Sequence, residues 1–174
     1  IVAERDPEGR PTIFEALPAE LPRVMPVGRL DLASEGMLLL TNDGGLKRWL
    51  EHPDTGWARR YRIRVKGPVD AAALARLADG IELDGMRYGP IEATLDGQPA
   101  PNRQQGRNAW LTVSLREGRN REIRYVMAHL GYPVNRLIRV AYGPFQLGKL
   151  PRGGVAEIGA GAIADQCAPA FAAS

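Results

Sequence analysis

Arg59-Arg60-Tyr61-Arg62-Ile63-Arg64-Val65-Lys66 is the stretch on which the fold turns. Tyr61, Ile63 and Val65 alternate with Arg60, Arg62, Arg64 and Lys66. In an extended strand successive side chains point to opposite faces, so this alternation makes one apolar face and one wholly cationic face. Outward from this strand, Trp110 to Leu115 reads as another. Ile81 to Leu83, the Asp84-Gly85 turn and the extended stretch to about Leu95 suggest hairpin-like pairing. Val134 to Val140 and Pro144 to Leu150 read as short extended pieces. Upstream, the apolar run Met37 to Thr41 ends in Asn42-Asp43-Gly44-Gly45, a buried strand entering a turn.

Helices interrupt these strands. Leu46 to Glu51 is a short one. Asp70 to Ala78 carries Ala and Leu at helical spacing behind an Asp cap. Asn120 reads as an N-cap, after which Ile123, Val126, Met127 and Leu130 keep the i, i+3, i+4, i+7 pattern until Gly131 closes the helix. The first thirty residues are Pro-rich and irregular, with a helical turn around Thr12 to Leu17. Gly97 to Asn108 is a polar loop, and the tail from Ala156 is Ala- and Gly-rich and weakly specified. With 20 Gly and 14 Pro scattered through the chain, short elements joined by tight turns are favoured over long helices. The expected fold class is α+β: a mixed, mostly antiparallel central sheet with flanking helices.

The chain has 174 residues, enough for one domain or two tightly fused halves with a real core. Its single cysteine, Cys167, has no partner within the chain, which excludes an intrachain disulfide and points to a cytoplasmic location. No apolar run approaches the roughly 18 residues of a membrane span, so no membrane association is expected. Of the 23 cationic residues, 20 are Arg and three are Lys. Arg59 to Lys66 carries +5 and Arg103 to Arg139 carries +6, while the whole chain is only +3, so the remainder stands at −8. Such unevenness suggests one basic surface turned toward a polyanion.

The usual catalytic sets are poorly represented. His52 and His129 are the only histidines; both lie at helix ends, where capping is the ordinary role. No His pair has metal-ligand spacing, no base adjoins Cys167, and no Gly-rich loop has Walker or Rossmann spacing. Two blocks remain. GRLDLASEGMLLLTNDG, Gly28 to Gly44, holds Asp31 in a polar loop ahead of an apolar strand, a position suited to a nucleophile or base but equally to a turn. EGRNREIRYVMAHLGYPVNRLIRVAYGP, Glu117 to Pro144, places Arg124 beside the apolar stripe of its helix. A partly buried Arg calls for an anion, for which Asp31 is a candidate; snorkelling to solvent is the other outcome.

These two blocks, with DPEGRPTIFEALP from Asp6 onward, closely resemble the RsuA-type ribosomal RNA pseudouridine synthases, and the resemblance runs from about Asp6 to Gly153. It implies a pseudouridine synthase fold with a central catalytic cleft, and isomerisation of a specific uridine in ribosomal RNA. Asp31, in GRLD, falls on the family's catalytic aspartate. Tyr61 falls on the tyrosine that packs against the target base, and Arg124, in REIR, on the arginine that pairs with the aspartate. Leu137, in RLIRV, falls on an apolar pocket residue. Arg29 and Asn120, within the same motifs, are expected on the substrate side, and Arg59, Arg60, Arg62, Arg119 and Arg121 are expected to contact phosphates. Tyr125 stands where family members often have a second basic residue.

The reaction moves a glycosidic bond from a ring nitrogen to a ring carbon with no net oxidation or hydrolysis, so the resemblance implies no cofactor and no metal. The target, a single-stranded or loop uridine, must leave its stack at a cost of a few kcal/mol. Residues 1–155 are expected to be a catalytic domain without the small N-terminal RNA-binding domain of many members, and residues 156–174 a C-terminal tail. A monomer is expected, since nothing indicates a coiled coil or a spare hydrophobic face. The alternative is a non-catalytic RNA-binding or ribosome-assembly module in which Asp31 is dispensable.

Overall fold

A computed structural model of the chain describes residues 12–97 and 108–172. In chain order its strands and helices are β1 (Met25–Val27), β2 (Glu35–Gly36), β3 (Leu39–Thr41), α1 (Gly44–Glu51), β4 (Arg59–Lys66), α2 (Ala71–Ala75), β5 (Ile81–Leu83), β6 (Met86–Tyr88), β7 (Ile91–Leu95), β8 (Asn108–Leu115), α3 (Glu122–His129), β9 (Val134–Tyr142), β10 (Phe145–Gln146) and α4 (Ala160–Ala172). They fall into two units. One comprises Ile1–Leu32, Leu38–Thr55 and Leu147–Ser174; the other comprises Ala33–Met37 and Gly56–Gln146.

The larger unit is built on the sheet to which β4 belongs. Its order is β10-β9-β4-β8-β7, and β2 joins the outer edge of β9 in parallel while every other pairing is antiparallel. Ile63 lies opposite Leu111 on β8 and Leu137 on β9, so the apolar sides of three strands coincide. That face, with Val65, Val113, Leu115, Ile91 and Ala93, is covered by Leu74 of α2, by Ile123, Val126 and Met127 of α3, and by Leu83 and Tyr88 of the β5–β6 hairpin. Burying a Leu, Ile or Met side chain of this kind stabilises by about 1.5–3 kcal/mol, which makes this core the main source of the sheet's stability. At the β10 edge Trp57 meets Phe145 and Tyr142 edge-on, with ring centroids 5.7 and 6.4 Å apart.

The hairpin turn follows from its residues: Asp84 and Gly85 both have positive φ, 50° and 74°, the geometry an Asp-Gly pair favours between antiparallel strands. Asp70 caps α2 by accepting from Ala72 N–H, as the sequence indicates. The start of α3 differs from the sequence reading. Arg121, not Asn120, occupies the cap position, in the left-handed conformation and without a side-chain capping bond. Glu122 Oε2 accepts from Arg119 N–H at 3.2 Å, a bond that ties the preceding turn to the first residue of the helix. β9 is also longer than expected, a nine-residue strand with irregularities where it meets Arg60/Tyr61 and Arg64/Val65.

In the smaller unit β1 and β3 pair antiparallel and α1 packs on β1. Asp43, read as turn chemistry, caps α1 by accepting from both Gly45 and Leu46 N–H. Residues 160–172, within the segment read as weakly specified, form α4, which packs against α1 and carries Cys167 fully buried at a kink. A depression of about 520 Å³ is lined, among the described residues, by Phe14, Leu17, Leu21, Pro22, Arg23 and Val24. No helix among the described residues is long and apolar enough to cross a membrane.

Candidate active site

Asp31 and Arg29 belong to the smaller unit. The loop that carries them leaves β1 at Gly28, whose φ of +66° is unfavourable for any residue with a Cβ. Gly28 N–H donates to Glu51 Oε1 at 2.7 Å, and Lys47 of α1 binds the same carboxylate. Partial burial works against ionisation of Glu51, but the bonds from Lys47 and Gly28 and the lysine's charge together hold its pKa below the ordinary carboxylate value. The start of the GRLD motif is thus tied to a helix by a charge-assisted bond. Asp31 is partly exposed and Arg29 exposed.

Tyr61, Leu137 and Arg124 belong to the larger unit. Tyr61 lies opposite Val113 on β8 and Arg139 on β9; it is half-buried and packs against the core. Leu137, opposite Ile63, is buried on the same face, a diagonal neighbour of Tyr61. Arg124 projects from α3, and its guanidinium donates from Nη1 to Val134 O at 2.8 Å and from Nη2 to Ala33 O at 2.5 Å. One side chain therefore joins α3, the start of β9 and the segment that leads into β2.

The arginines expected on phosphates occupy three different settings. Arg60 and Arg62 leave β4 on the face opposite Tyr61. Arg59 is turned to the protein: it donates to Arg116 O at 2.9 Å and to Tyr142 Oη at 3.1 Å and lies over the Tyr142 ring. Arg119, Asn120 and Arg121 are exposed at the start of α3. Arg119 binds Glu117 and lies 5.6 Å from the centroid of Tyr88, and its bond to Glu117 raises its already high pKa. Tyr125, also exposed, donates its hydroxyl to Asp84 at the hairpin turn, which raises the tyrosine pKa.

Two charged residues that the sequence reading missed are buried here. Arg139, 2 % exposed, donates from Nε to Met37 O at 2.8 Å, while its own carbonyl accepts from Met37 N–H at 2.8 Å. Gly36 lies so close to the Arg139 backbone, at φ +106°, that a Cβ has no room. The alternation Leu137, Arg139, Ala141 was the available signal, since it puts Arg139 on the inner face. Glu122 is 3 % exposed, and its pKa is raised to about 7 by burial and by the charge of Glu117, against the opposing pull of Arg119 and Arg59. Among the described residues no group of three or more His, Cys, Asp or Glu is placed to hold a metal ion.

The profile described as RNA pseudouridylate synthase matches residues 4–129, a span that includes Asp31, Tyr61 and Arg124. The chain belongs to this family. It is 44 % identical over 150 residues to an uncharacterized RNA pseudouridine synthase of Rickettsia bellii, covering 86 % of this chain and 62 % of that protein. It is likewise 44 % identical over 155 residues to the ribosomal large subunit pseudouridine synthase B of Haemophilus influenzae, covering 88 % and 42 %. A crystal structure of a pseudouridylate synthase superposes with a TM-score of 0.75 at 25 % identity, over 90 % of this chain and 65 % of that one. The mixed α+β fold expected from the sequence is thus the fold found. The chain spans about two thirds or less of the length of these relatives.

Proposed function

We propose that this chain is the catalytic part of a synthase that converts one uridine of ribosomal RNA to pseudouridine. The observation that carries the proposal is the family match over residues 4–129, a span that holds Asp31, Tyr61 and Arg124. The ribosomal assignment is supported by the named ribosomal relative. Residues 1–155 are read as the catalytic domain, with residues 156–174 as its C-terminal extension, acting in the cytoplasm.

Asp31 is the reacting carboxylate. The C1′–N1 bond breaks and a C1′–C5 bond forms; C5 gives up its proton and N1 gains one, so atoms and electrons balance without a redox partner. The carboxylate acts as nucleophile toward base or sugar, or as the base that removes a ribose proton. Tyr61 packs against the extruded uracil, and stacking offsets part of the few kcal/mol needed to extrude it. Leu137 gives that face an apolar wall. Arg124 acts first as a positioning residue: it holds the Ala33 carbonyl, two residues beyond Asp31 in the chain.

The test is incubation of the full chain, and of Asp31→Asn, with unmodified ribosomal RNA, followed by chemical mapping of pseudouridine. New pseudouridine at one site, reduced at least ~10⁴-fold in the variant while RNA affinity is retained, is the expected result. Product formation by Asp31→Asn at the parental rate would sink the assignment of Asp31. Absence of product from both, with equal RNA binding, would return the alternative of a non-catalytic RNA-binding module.

A further inference from the structure

The face of the sheet that turns away from Tyr61 has a structure of its own. Arg60, Arg62, Arg64 and Lys66 project from β4, opposite Ser114, Thr112, Trp110 and Asn108 of β8. Arg136 joins them from β9, opposite Arg64. Trp110 is the centre of the group: the guanidinium carbons of Arg62, Arg64 and Arg136 lie 4.8, 5.9 and 5.9 Å from its ring centroid. Each is also held at its rim. Arg62 pairs with Asp96, Arg136 pairs with both oxygens of Glu35, and Arg64 Nε donates to Asn135 Oδ1 at 2.6 Å.

Like charges crowded on a sheet repel one another, and adjacent arginines across a pair of strands destabilise it. The tryptophan ring and the rim acceptors offset that repulsion and hold the guanidinium groups in place. Asp96 and Glu35 balance Arg62 and Arg136, whereas Arg60, Arg64 and Lys66 have no carboxylate in ion-pair contact among the described residues. The face therefore keeps an excess of positive charge in a row along one strand. Alternate residues of a strand stand roughly 6.6 Å apart, comparable with the spacing of successive phosphates in an extended nucleic-acid strand.

We propose that this Trp110-centred arginine face is a second RNA-binding surface, gripping the sugar–phosphate backbone of the substrate at a distance from the reacting uridine. The inference rests on the reading of the substrate as RNA and adds to it a surface built by Trp110, Arg64, Lys66 and Arg136 together with Arg60 and Arg62. Because its contacts are with phosphates, it reads no sequence; it adds affinity that falls as salt rises. Arginine held in advance binds with less ordering cost than a free side chain, which is the part played by the indole ring.

A labelled oligoadenylate, which contains no uridine, is the probe, titrated against the full chain at several salt concentrations. The variant Arg60→Gln/Arg64→Gln/Lys66→Gln should weaken binding at least tenfold at low salt. It should also flatten the slope of log affinity against log salt by about 2, the value for three phosphate contacts on a single strand. Glu92→Lys adds charge on the same face at an exposed position of β7 and should tighten binding several-fold. Unchanged affinity and slope in the folded triple variant would overturn the proposal. If the triple variant does not fold, an unchanged affinity in Glu92→Lys overturns it instead. Loss of binding to phosphatidylserine vesicles with none to oligoadenylate would also overturn it, in favour of a membrane partner. Pseudouridine formation is scored separately: product from a chain whose triple variant binds like the parent refutes this surface and leaves the synthase reading in place.

Discussion

Glu122 is a carboxyl group at the first turn of α3, buried to 3 % exposure, and Glu122→Gln tests what holds it there. A helix N-terminus and the nearby Arg59 and Arg119 favour its ionised form, while burial and the charge of Glu117 oppose it and prevail, with a pKa of about 7 in the folded chain. The ordinary value is 4.5, so between those two pH values the unfolded chain has lost this proton and the folded chain still binds it. Stability from this group therefore falls as pH rises through that window, and below it there is no penalty. The shift corresponds to about 3 kcal/mol of destabilisation, fully developed above pH 7. Glutamine keeps the acceptor for Arg119 N–H and cannot ionise, although its amide takes the place of Oε1, which has no hydrogen-bond partner among the described residues. That misfit costs about 1 kcal/mol at every pH.

The expected result is a crossing. Glu122→Gln is about 1 kcal/mol less stable than the parent near pH 4.5 and about 2 kcal/mol more stable at pH 8, with the crossing in between. For a chain of this size the swing in Tm is about 6–12 °C, readable by thermal melts of both proteins across that range. Parallel pH profiles would refute the reasoning, since they would mean that Glu122 titrates alike in both states. A variant uniformly less stable would refute it in the same way.

Glu51 should show the opposite sign: its lowered pKa gives stability that is fully present above the ordinary carboxylate value and lost as pH falls through its folded value. Faster amide exchange at Gly28, relative to neighbouring amides, is expected by NMR once the pH is low enough to protonate Glu51 in the folded chain; unchanged relative protection down to acid unfolding would refute the link. Arg124→Met removes two charge-assisted bonds to main-chain carbonyls and should cost about 3 kcal/mol, lowering Tm by about 6–12 °C in a thermal melt. Gly36→Ala drives a Cβ into the Arg139 backbone at a φ only glycine adopts readily and should cost at least about 2 kcal/mol; a parental Tm would refute the close approach of β2 to β9.

What the sequence made legible were the features with a local code. Strict alternation in β4, the Asp84-Gly85 turn and the Asp70 cap each depend on a few adjacent residues, and each is found where read. Features set by distant contacts were hidden. Met37 to Thr41 reads as one strand, yet Met37 bonds to Arg139 while β3 pairs with β1, because separate units hold the two ends. Asn120 has the better capping side chain, yet the helix starts one residue on, after Arg121 in the left-handed conformation. The tail looked weakly specified because Ala and Gly give little periodicity; α1 supplies its packing partner. Among candidate site residues, Asp31, Tyr61 and Arg124 were named from motif order, which composition and spacing alone did not resolve. Arg139 was counted as surface charge because a buried arginine is rare and its partner, the Met37 carbonyl, is a hundred residues away.

The arginine-rich character of the chain acquires a physical reason at β4. A strand can carry charge and chemistry at neighbouring positions because its pleat sends them to opposite faces. Under the proposed function Tyr61 packs on a base and so needs partly apolar surroundings, and a guanidinium beside it on the same face would have to be desolvated. Placing Arg60 and Arg62 one residue away, yet across the sheet, avoids that cost while leaving the charges solvated. Arg139 shows the other solution on the inner face itself: there a cation is admitted with its Nε–H on the Met37 carbonyl and its guanidinium 5.6 Å from the ring centroid of Tyr142. Arg59, over the same ring and bonded to the Tyr142 hydroxyl, follows that pattern. Arginine rather than lysine suits both, since a planar guanidinium can stack on an aromatic face and still donate from its edge.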